Sequence, residues 1–441
     1  MKRKLTVVLI VLFILILLVG TLLLAGVGAV RPEPEAPEPD EPTPEPTPRP
    51  TPVPTPVPTP APTPVPEYPA RQVELTLDYK DRRAANHLFD DNYTSDYTFP
   101  AGSTLSFTAE EDVRALYIIF GSYPDDWTLR ADGRDYACGQ GGFLHEYIAL
   151  DEGARRLEFV LPEDRDVLIR DVYAFTDGYP PVFVQTWRNL EEPADILIFS
   201  THYDDELLFM GGIIPYYSGV RGLKVQVVYM TSNYLTTFSN YRFRPHEALN
   251  GLWTCHLHYY PLTHEVGDYE CASYDQAVAI YGWDNFAEFQ VEMIRRFKPL
   301  VVVTQAEDGE YGHGAHILTA YSVERAVQAA PDPDQFPDSA ERWGVWDTPK
   351  TYLHKYGNPY QLTILNYEQP APELGWKTPF QVAQEAYRQH LTQQQWESFY
   401  VYSYGHPQDS HRYGLYRSLV GPDVDRNDLM EHVSRELFPA E

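Results

Sequence analysis

The residues best suited to chemistry stand in two short runs. The first, THYDDE from Thr201 to Glu206, crowds one histidine, His202, and three carboxylates, Asp204, Asp205 and Glu206, into five positions. The second, QAEDGEYGHGAH from Gln305 to His316, sets His313 and His316 three positions apart. Imidazole and carboxylate are ordinary zinc ligands, so His202 with Asp205 can begin a metal site. At the start of a helix, the spacing of His313 and His316 turns both imidazoles to one side. Each run also has a plainer reading. Asp204, Asp205 and Glu206 make an acidic first helical turn of the kind the helix dipole favours. The second run reads as a glycine-rich surface loop with two incidental histidines.

The elements that must position these runs weigh between the readings. Ile196–Phe199 is continuously apolar, as expected of a strand buried on both faces in a parallel sheet. Leu207–Tyr217 reads as a helix. Lys224–Met230 predicts a second buried strand, Thr231–Phe243 a polar and aromatic loop, Arg244–Trp253 a helix and Leu257–Leu262 a third strand. Phe286, Phe289, Met293 and Ile294 share one stripe of a helix over Asn285–Phe297, an amphipathic pattern. Leu300–Thr304 is again continuously apolar. Helices alternating with buried strands imply βαβ units, hence an α/β fold with a Rossmann-like, mostly parallel sheet over residues 188–441. Both polar runs then fall at the carboxyl ends of buried strands, where open α/β sheets place their sites. That coincidence favours one joint site. No Gly-x-Gly-x-x-Gly follows the first strand, which speaks against a dinucleotide.

In these motifs the chain resembles the PIG-L/LmbE family of zinc-dependent N-acetylglucosamine deacetylases. His202-Tyr203-Asp204-Asp205-Glu206 matches the family's His-Pro-Asp-Asp-Glu after its first strand, and His313-Gly314-Ala315-His316 its later His-x-x-His. Arg244-x-x-Glu247, with Ala248 and Gly251 following, resembles the family's helix after the second strand. The resemblance covers roughly Ile196 to Ala330. Tyr203 replaces the family's proline, which bears on the turn that aims His202 and Asp205. Ala315 replaces a frequent aspartate, which bears on support behind the ligands. The resemblance implies that His202, Asp205 and His316 hold Zn2+. It makes Asp204 the general base, His313 the group that stabilises the oxyanion or protonates the leaving amine, and Tyr311 an oxyanion donor. Two imidazoles, one carboxylate and an open position are a standard catalytic zinc pattern. Glu206 is left to cap the helix or to hold a ligand imidazole.

The remainder of the 441 residues frames this site. A net charge of −29 speaks against nucleic acid and anionic membrane surfaces as partners. Cys138, Cys255 and Cys271 form no Cys-x-x-Cys, which excludes a cysteine zinc knuckle and a disulfide-built scaffold. Lys2, Arg3 and Lys4 precede the uncharged apolar run Leu5–Val30, long enough to span a bilayer. Residues 1–30 are therefore expected to be an uncleaved, single-pass membrane signal anchor that leaves the catalytic domain extracytoplasmic at a bacterial cell surface. Residues 31–67 read as a Pro-rich disordered linker, a semi-rigid spacer.

From residue 68 to 187, short alternating runs between turn signals predict an antiparallel β-sandwich. The runs are Val73–Leu77, Thr104–Phe107, Ala115–Phe120, Trp127–Arg130, Glu146–Leu150, Arg156–Leu161 and Val167–Phe175. The layout is similar to galactose-binding-like, discoidin-type jelly rolls, with His87-Leu88-Phe89-Asp90-Asp91-Asn92-Tyr93 where that group has a Leu-x-Asp-Gly-Asn turn. That resemblance implies carbohydrate binding or a positioning role, and Asp90 and Asn92 read as turn formers. In the tail, Trp376 and Tyr404 serve core packing or a sugar subsite. The chain is thus expected to be a metal-dependent N-deacetylase, a hydrolase of linear amides, acting on extracytoplasmic glycans that contain N-acetylated amino sugars. The rival reading is a surface carbohydrate-binding protein on an inactive deacetylase scaffold.

Overall fold

Long strands that alternate buried and exposed positions pass through the first of two sheets, and strands buried along their whole length form the centre of the second. The computed structural model describes residues 68–440 apart from Tyr93 and residues 233–240. The expected membrane anchor and Pro-rich linker, Tyr93, and most of the expected loop over Thr231–Phe243 lie outside the described residues.

The first sheet contains β1 (Gln72–Val73), β2 (Leu75–Asp78), β3 (Tyr97–Phe99), β4 (Thr104–Phe120), β5 (Trp127–Ala131), β6 (Arg134–Cys138), β7 (His145–Val160) and β8 (Val167–Phe175). Its order is β1-β8-β4-β7-β5-β6, with β2 on β4 and β3 on β8, and every pairing is antiparallel. Two expected pairs of short strands are each one long strand, β4 of 17 residues and β7 of 16. Asp151-Glu152-Gly153, which separates two of those runs, falls where the ladder passes from Val113↔Ala154 to Ala115↔Ala149. Extra residues inserted in a ladder bend a strand without ending it. As expected, Asp90 and Asn92 form turns: Asp90 Oδ1 accepts from the Asn92 N–H at 3.0 Å and Asn92 Oδ1 from the Thr94 N–H at 3.1 Å. Strands β3 and β6 were not legible, and β6 is a largely exposed edge with no alternation to mark it.

The second sheet contains β9 (Ile196–Ser200), β10 (Val225–Tyr229), β11 (Leu262–Thr263), β12 (Val301–Thr304), β13 (Lys350–His354), β14 (Thr363–Ile364) and β15 (Arg412–Ser418), in the order β11-β10-β9-β12-β13-β15-β14. The pairings from β11 to β13 are parallel and those of β15 with β13 and β14 antiparallel. Every residue of β9, β10, β12 and β13 is buried. Around this sheet lie α1 (Asp205–Leu208), α2 (Arg244–Thr254), α3 (Trp283–Phe297), α4 (Gly314–Ala329) and α5 (Pro379–Tyr387). Phe286, Met293 and Ile294 of the expected stripe on α3 are buried with Val302 and Leu318. Each such side chain contributes about 1.5–3 kcal/mol relative to exposure.

Three expectations are corrected here. The helix over Leu207–Tyr217 stops at Leu208, and a π-helical turn follows only at Pro215–Val220. Between them Gly212 lies against Tyr367, where a Cβ would stand 2.0 Å from the ring. Of Leu257–Leu262, only Leu262 enters a strand. Strand β13 was not foreseen because it opens on Lys350, whose buried ammonium donates to Asp423 Oδ1 at 2.6 Å and Glu431 O at 3.0 Å.

The expected single-pass cell-membrane location is also corrected. Among the described residues no helix is long and apolar enough to cross a membrane. The longest described, α4, has 16 residues and at about 1.5 Å per residue falls short of the roughly 30 Å hydrocarbon core. The described residues belong to one compact unit. Leu144 and Trp187, from before the second sheet, join the core around Ile196 and Tyr229.

Candidate active site

Because β9 and β12 are adjacent and parallel, the two polar runs emerge side by side. The Thr201 N–H donates to Gln305 Oε1 at 3.0 Å, and the Thr201 hydroxyl donates to Thr319 Oγ1 at 2.7 Å. These bonds tie the first run to the second and to α4. Asp204 sits at φ 131°, a conformation that costs a non-glycine residue roughly 1–3 kcal/mol. Its surroundings hold it there. The Leu207 and Leu208 N–H groups donate to Asp204 O at 2.9 Å, and the Asp204 N–H donates to Glu206 Oε2 at 3.1 Å. The Arg244 guanidinium pairs with Asp204 Oδ1 at 2.9 Å and also donates to Tyr203 O. Tyr203 is itself buried, its hydroxyl 3.0 Å from Thr263 Oγ1 and its ring 4.5 Å from that of Tyr229. Packing therefore secures the turn that a proline would stiffen.

The structure brings His202, Asp205 and His316 together. Asp205 Oδ2 lies 3.0 Å from His202 Nδ1 and 3.1 Å from His316 Nε2, and the two nitrogens are 3.0 Å apart. Nitrogens of His202, His313 and His316 all fall within 4.8 Å of one another. Ligand distances of about 2.0–2.2 Å on a small dication put tetrahedral neighbours roughly 3.3 Å apart, so this donor set fits a metal ion. His313 Nδ1 is buried without a hydrogen-bond partner among the described residues.

Behind the imidazoles stand carboxylates that sequence reasoning missed. Asp268 Oδ1 lies 3.3 Å from His202 Nε2, and Glu310 Oε2 lies 3.0 Å from His316 Nδ1. Glu310 Oε1 continues to His354 Nδ1 at 3.2 Å, and His354 Nε2 donates to Asp409 O at 2.9 Å. Such partners fix the ring orientation and raise the basicity of a ligand histidine. Glu310 lay in view inside the second run. His354 ends β13 at the same pole as the other strands, but Asp268 carries no local signal. Among the described residues no imidazole bonds to Glu206; its Oε2 accepts the Asp204 N–H.

Burial and pairing pull the titrating groups apart. Burial opposes charge on His202 and His316, yet the facing carboxylates raise them to about 10 and about 9. Asp205 falls well below the usual carboxylate range against burial, because both histidines face it. His313 is pushed down to about 3 by burial and by its two histidine neighbours. Asp204 is raised to about 7, by burial against the pull of Arg244 and with the help of Asp205. Burial first, then Asp205, pushes the Tyr311 phenol upward, so it remains a donor.

A cavity of about 240 Å³ opens over these groups. His202, Asp204, Asp205, Arg244, Tyr311 and His313 line it, together with Leu208, Asp268, Tyr269, Glu270, Gln393 and Phe399. Trp376 and Tyr404, considered for a sugar subsite, are not among these lining residues. The arrangement can hold a cation on one side, accept a proton at Asp204 on another and offer neutral donors at His313 and Tyr311.

The family described as PIG-L, GlcNAc-PI de-N-acetylase, matches residues 197–327. Over 69 residues the chain is 41% identical to the 1D-myo-inositol 2-acetamido-2-deoxy-alpha-D-glucopyranoside deacetylase of Geodermatophilus obscurus, covering 16% of this chain and 22% of that protein. It is 38% identical, also over 69 residues, to the deacetylase 2 of that description from Saccharopolyspora erythraea, covering 16% and 24%. The match thus spans under a quarter of the length of these relatives. The N,N'-diacetylchitobiose deacetylase from Pyrococcus horikoshii superposes with a TM-score of 0.34 at 19% identity, covering 45% of this chain and 71% of that one. The matched span opens within β9 and runs through α4, carrying both polar runs: residues 197–327 are a PIG-L family domain.

Proposed function

We propose that this site hydrolyses the acetamide of N-acetylated amino sugars, with Zn2+ held by His202, Asp205 and His316. The observation that carries the reading is the triangle of Asp205 Oδ2, His202 Nδ1 and His316 Nε2 with edges of 3.0–3.1 Å, with Asp204 next in the chain. The matched family and the names of the relatives, deacetylases of acetamido sugars, support the substrate class. When bound, the ion supplies Lewis acidity toward the amide carbonyl and acidifies water.

The chain's own groups divide the remaining work. Asp204 takes the proton of the attacking water, since its carboxylate lines the cavity beside the ligand Asp205. Arg244 fixes that carboxylate at 2.9 Å. The unusual backbone at Asp204 sends two neighbouring carboxylates to different partners, Asp204 to Arg244 and Asp205 to the histidines. His313 is neutral, held down to about 3, which favours it as an N–H donor to the developing oxyanion over a resting acid. The leaving amine then recovers its proton from Asp204. Tyr311 is a second donor at the mouth.

The test uses full-length wild type and Asp204→Asn, with metal counted by plasma emission spectrometry and acetate release assayed on N-acetylglucosamine and its oligomers. Zinc in both proteins with acetate released only by wild type is the expected result. Wild type without metal, or an Asp204→Asn protein as fast as wild type, would sink the reading.

A further inference from the structure

Part of the cavity wall comes from outside the matched residues 197–327. Gln393 and Phe399 line the cavity and belong to a turn rigidly mounted on the site. The neighbouring Thr392 donates its N–H to Glu247 Oε1 at 2.8 Å and its hydroxyl to Glu247 Oε2 at 2.6 Å. Glu247 lies one turn along α2 from Arg244, so the helix that holds Asp204 also holds this wall. Within the turn the Trp396 N–H donates to Gln393 O and the Phe399 N–H to Trp396 O, both at 3.1 Å. The Tyr402 hydroxyl donates to Ser398 O at 3.1 Å, and the Tyr402 ring stacks 5.7 Å from Phe209. Phe399 is thereby set 5.8 Å from the ring of Tyr311. Tyr269 and Tyr311 are each about half exposed at the mouth, at 49% and 51%. Pre-formed aromatic faces turned to water beside a buried amide, Gln393, suit a sugar ring, which offers C–H groups to a face and hydroxyls to an amide.

The charges of the same mouth restrict what such a ring can carry. Asp204, Asp205, Asp268 and Glu270 line the cavity against the single guanidinium of Arg244, and Arg244 is already engaged with Asp204 at 2.9 Å and near Asp268 at 3.9 Å. A dication on the histidines still leaves carboxylates in excess. At about 240 Å³ the cavity is small, below the roughly 300–1,000 Å³ of sites for drug-sized ligands. A longer glycan must therefore lay its next ring on the rim.

We propose that Phe399, Gln393 and Tyr269 form a second sugar subsite, which takes the ring glycosidically linked to the N-acetylated residue and accepts neutral or amino-bearing rings in preference to anionic ones. The proposal rests on the deacetylase reading for the first ring only. Its test is calorimetric binding of N-acetylglucosamine, its β-1,4-linked disaccharide and a disaccharide with a carboxylate on the outer ring to the zinc-loaded Asp204→Asn protein, which leaves the sugars intact. The neutral disaccharide is expected to bind about tenfold tighter than the monosaccharide. Phe399→Ala added to that protein should erase the advantage with the monosaccharide affinity unchanged. The carboxylated disaccharide should bind more weakly than the neutral one, and Glu270→Gln should narrow the gap. Equal affinities for mono- and disaccharide, or an advantage that survives Phe399→Ala, would overturn the subsite. Acetate release from the monosaccharide by wild type reports separately on the deacetylase reading, so either can fail alone.

Discussion

The two sheets handle buried polar groups differently. In the antiparallel sheet, strand ends alternate between opposite edges, and the buried histidine, carboxylate and guanidinium groups on its described strands are His145, Glu146, Arg170 and Asp171. In the parallel part of the second sheet, the carboxyl ends of β9, β12 and β13 emerge at one pole. They deliver His202, Asp204, Asp205, Glu206, Glu310, His316 and His354, all buried, to one place. The titrations diverge accordingly. In the first sheet burial wins: His145 is pushed down to about 3 and Asp171 up to about 7. In the second, partners overcome burial: His202 rises to about 10, and Glu310 falls to about 2 through its bonds to His316 and His354. Parallel pairing brings like ends together, so polar residues placed there become one another's environment.

The largest expected effect that sharpens this contrast is the loss of the proposed base. Asp204→Asn should lower acetate release by about 10²- to 10⁴-fold with bound zinc unchanged, whereas Glu146→Gln in the first sheet should leave the rate intact. A comparable drop in Glu146→Gln would break the distinction. Next comes the group behind His316. Glu310→Gln should weaken zinc binding or activity by roughly 10- to 100-fold, read by chelator competition, while Asp171→Asn leaves zinc affinity alone.

A smaller effect separates the sheets by pH. His145 Nε2 meets His246 Nδ1 at 2.9 Å where β7 packs on α2, and burial first, with Arg170, holds both imidazoles below their ordinary value. The unfolded chain protonates them below about 6.5 and the folded protein does not. Their contribution is therefore complete above about 6.5 and is lost progressively as pH falls below it. Urea unfolding of wild type should show lower stability at pH 5 than at pH 7, and His145→Gln with His246→Gln should flatten that slope. The smallest effect is at the surface. Arg130 pairs with Asp135 at 2.9 Å and Glu158 at 3.1 Å, but its side chain is 44% exposed. Arg130→Ala should cost under about 1 kcal/mol and leave acetate release unchanged; a larger loss in thermal unfolding would mean that the first sheet's surface charges matter more than their exposure allows.

Much was legible along the chain because the signals were local. Buried strands announced themselves as largely apolar runs, so β9, β10 and β12 were found within a residue or two, and the polar runs after β9 and β12 marked the site. What local pattern cannot carry is pairing at a distance. Two long bent strands looked like four short ones because a bulge resembles a turn in one dimension. The strand from Lys350 was hidden by an ammonium whose partner, Asp423, lies far along the chain.

The same division runs through the site. Composition and order along the chain determined which groups are present, since metal ligands and bases are defined by their chemistry and by the strand they follow. Which oxygen faces which nitrogen was decided by folding. Asp268 reaches His202 only because the chain after β11 bridges at Gly267 to Ser232, just beyond β10, the neighbour of β9, and Glu310 joins His316 to His354 only because β12 and β13 are neighbours. Gln393 and Phe399 enter the cavity only because Glu247 captures Thr392. These contacts join residues up to 145 positions apart, and a sequence holds no record of such proximity until hydrophobic burial has closed the chain on itself.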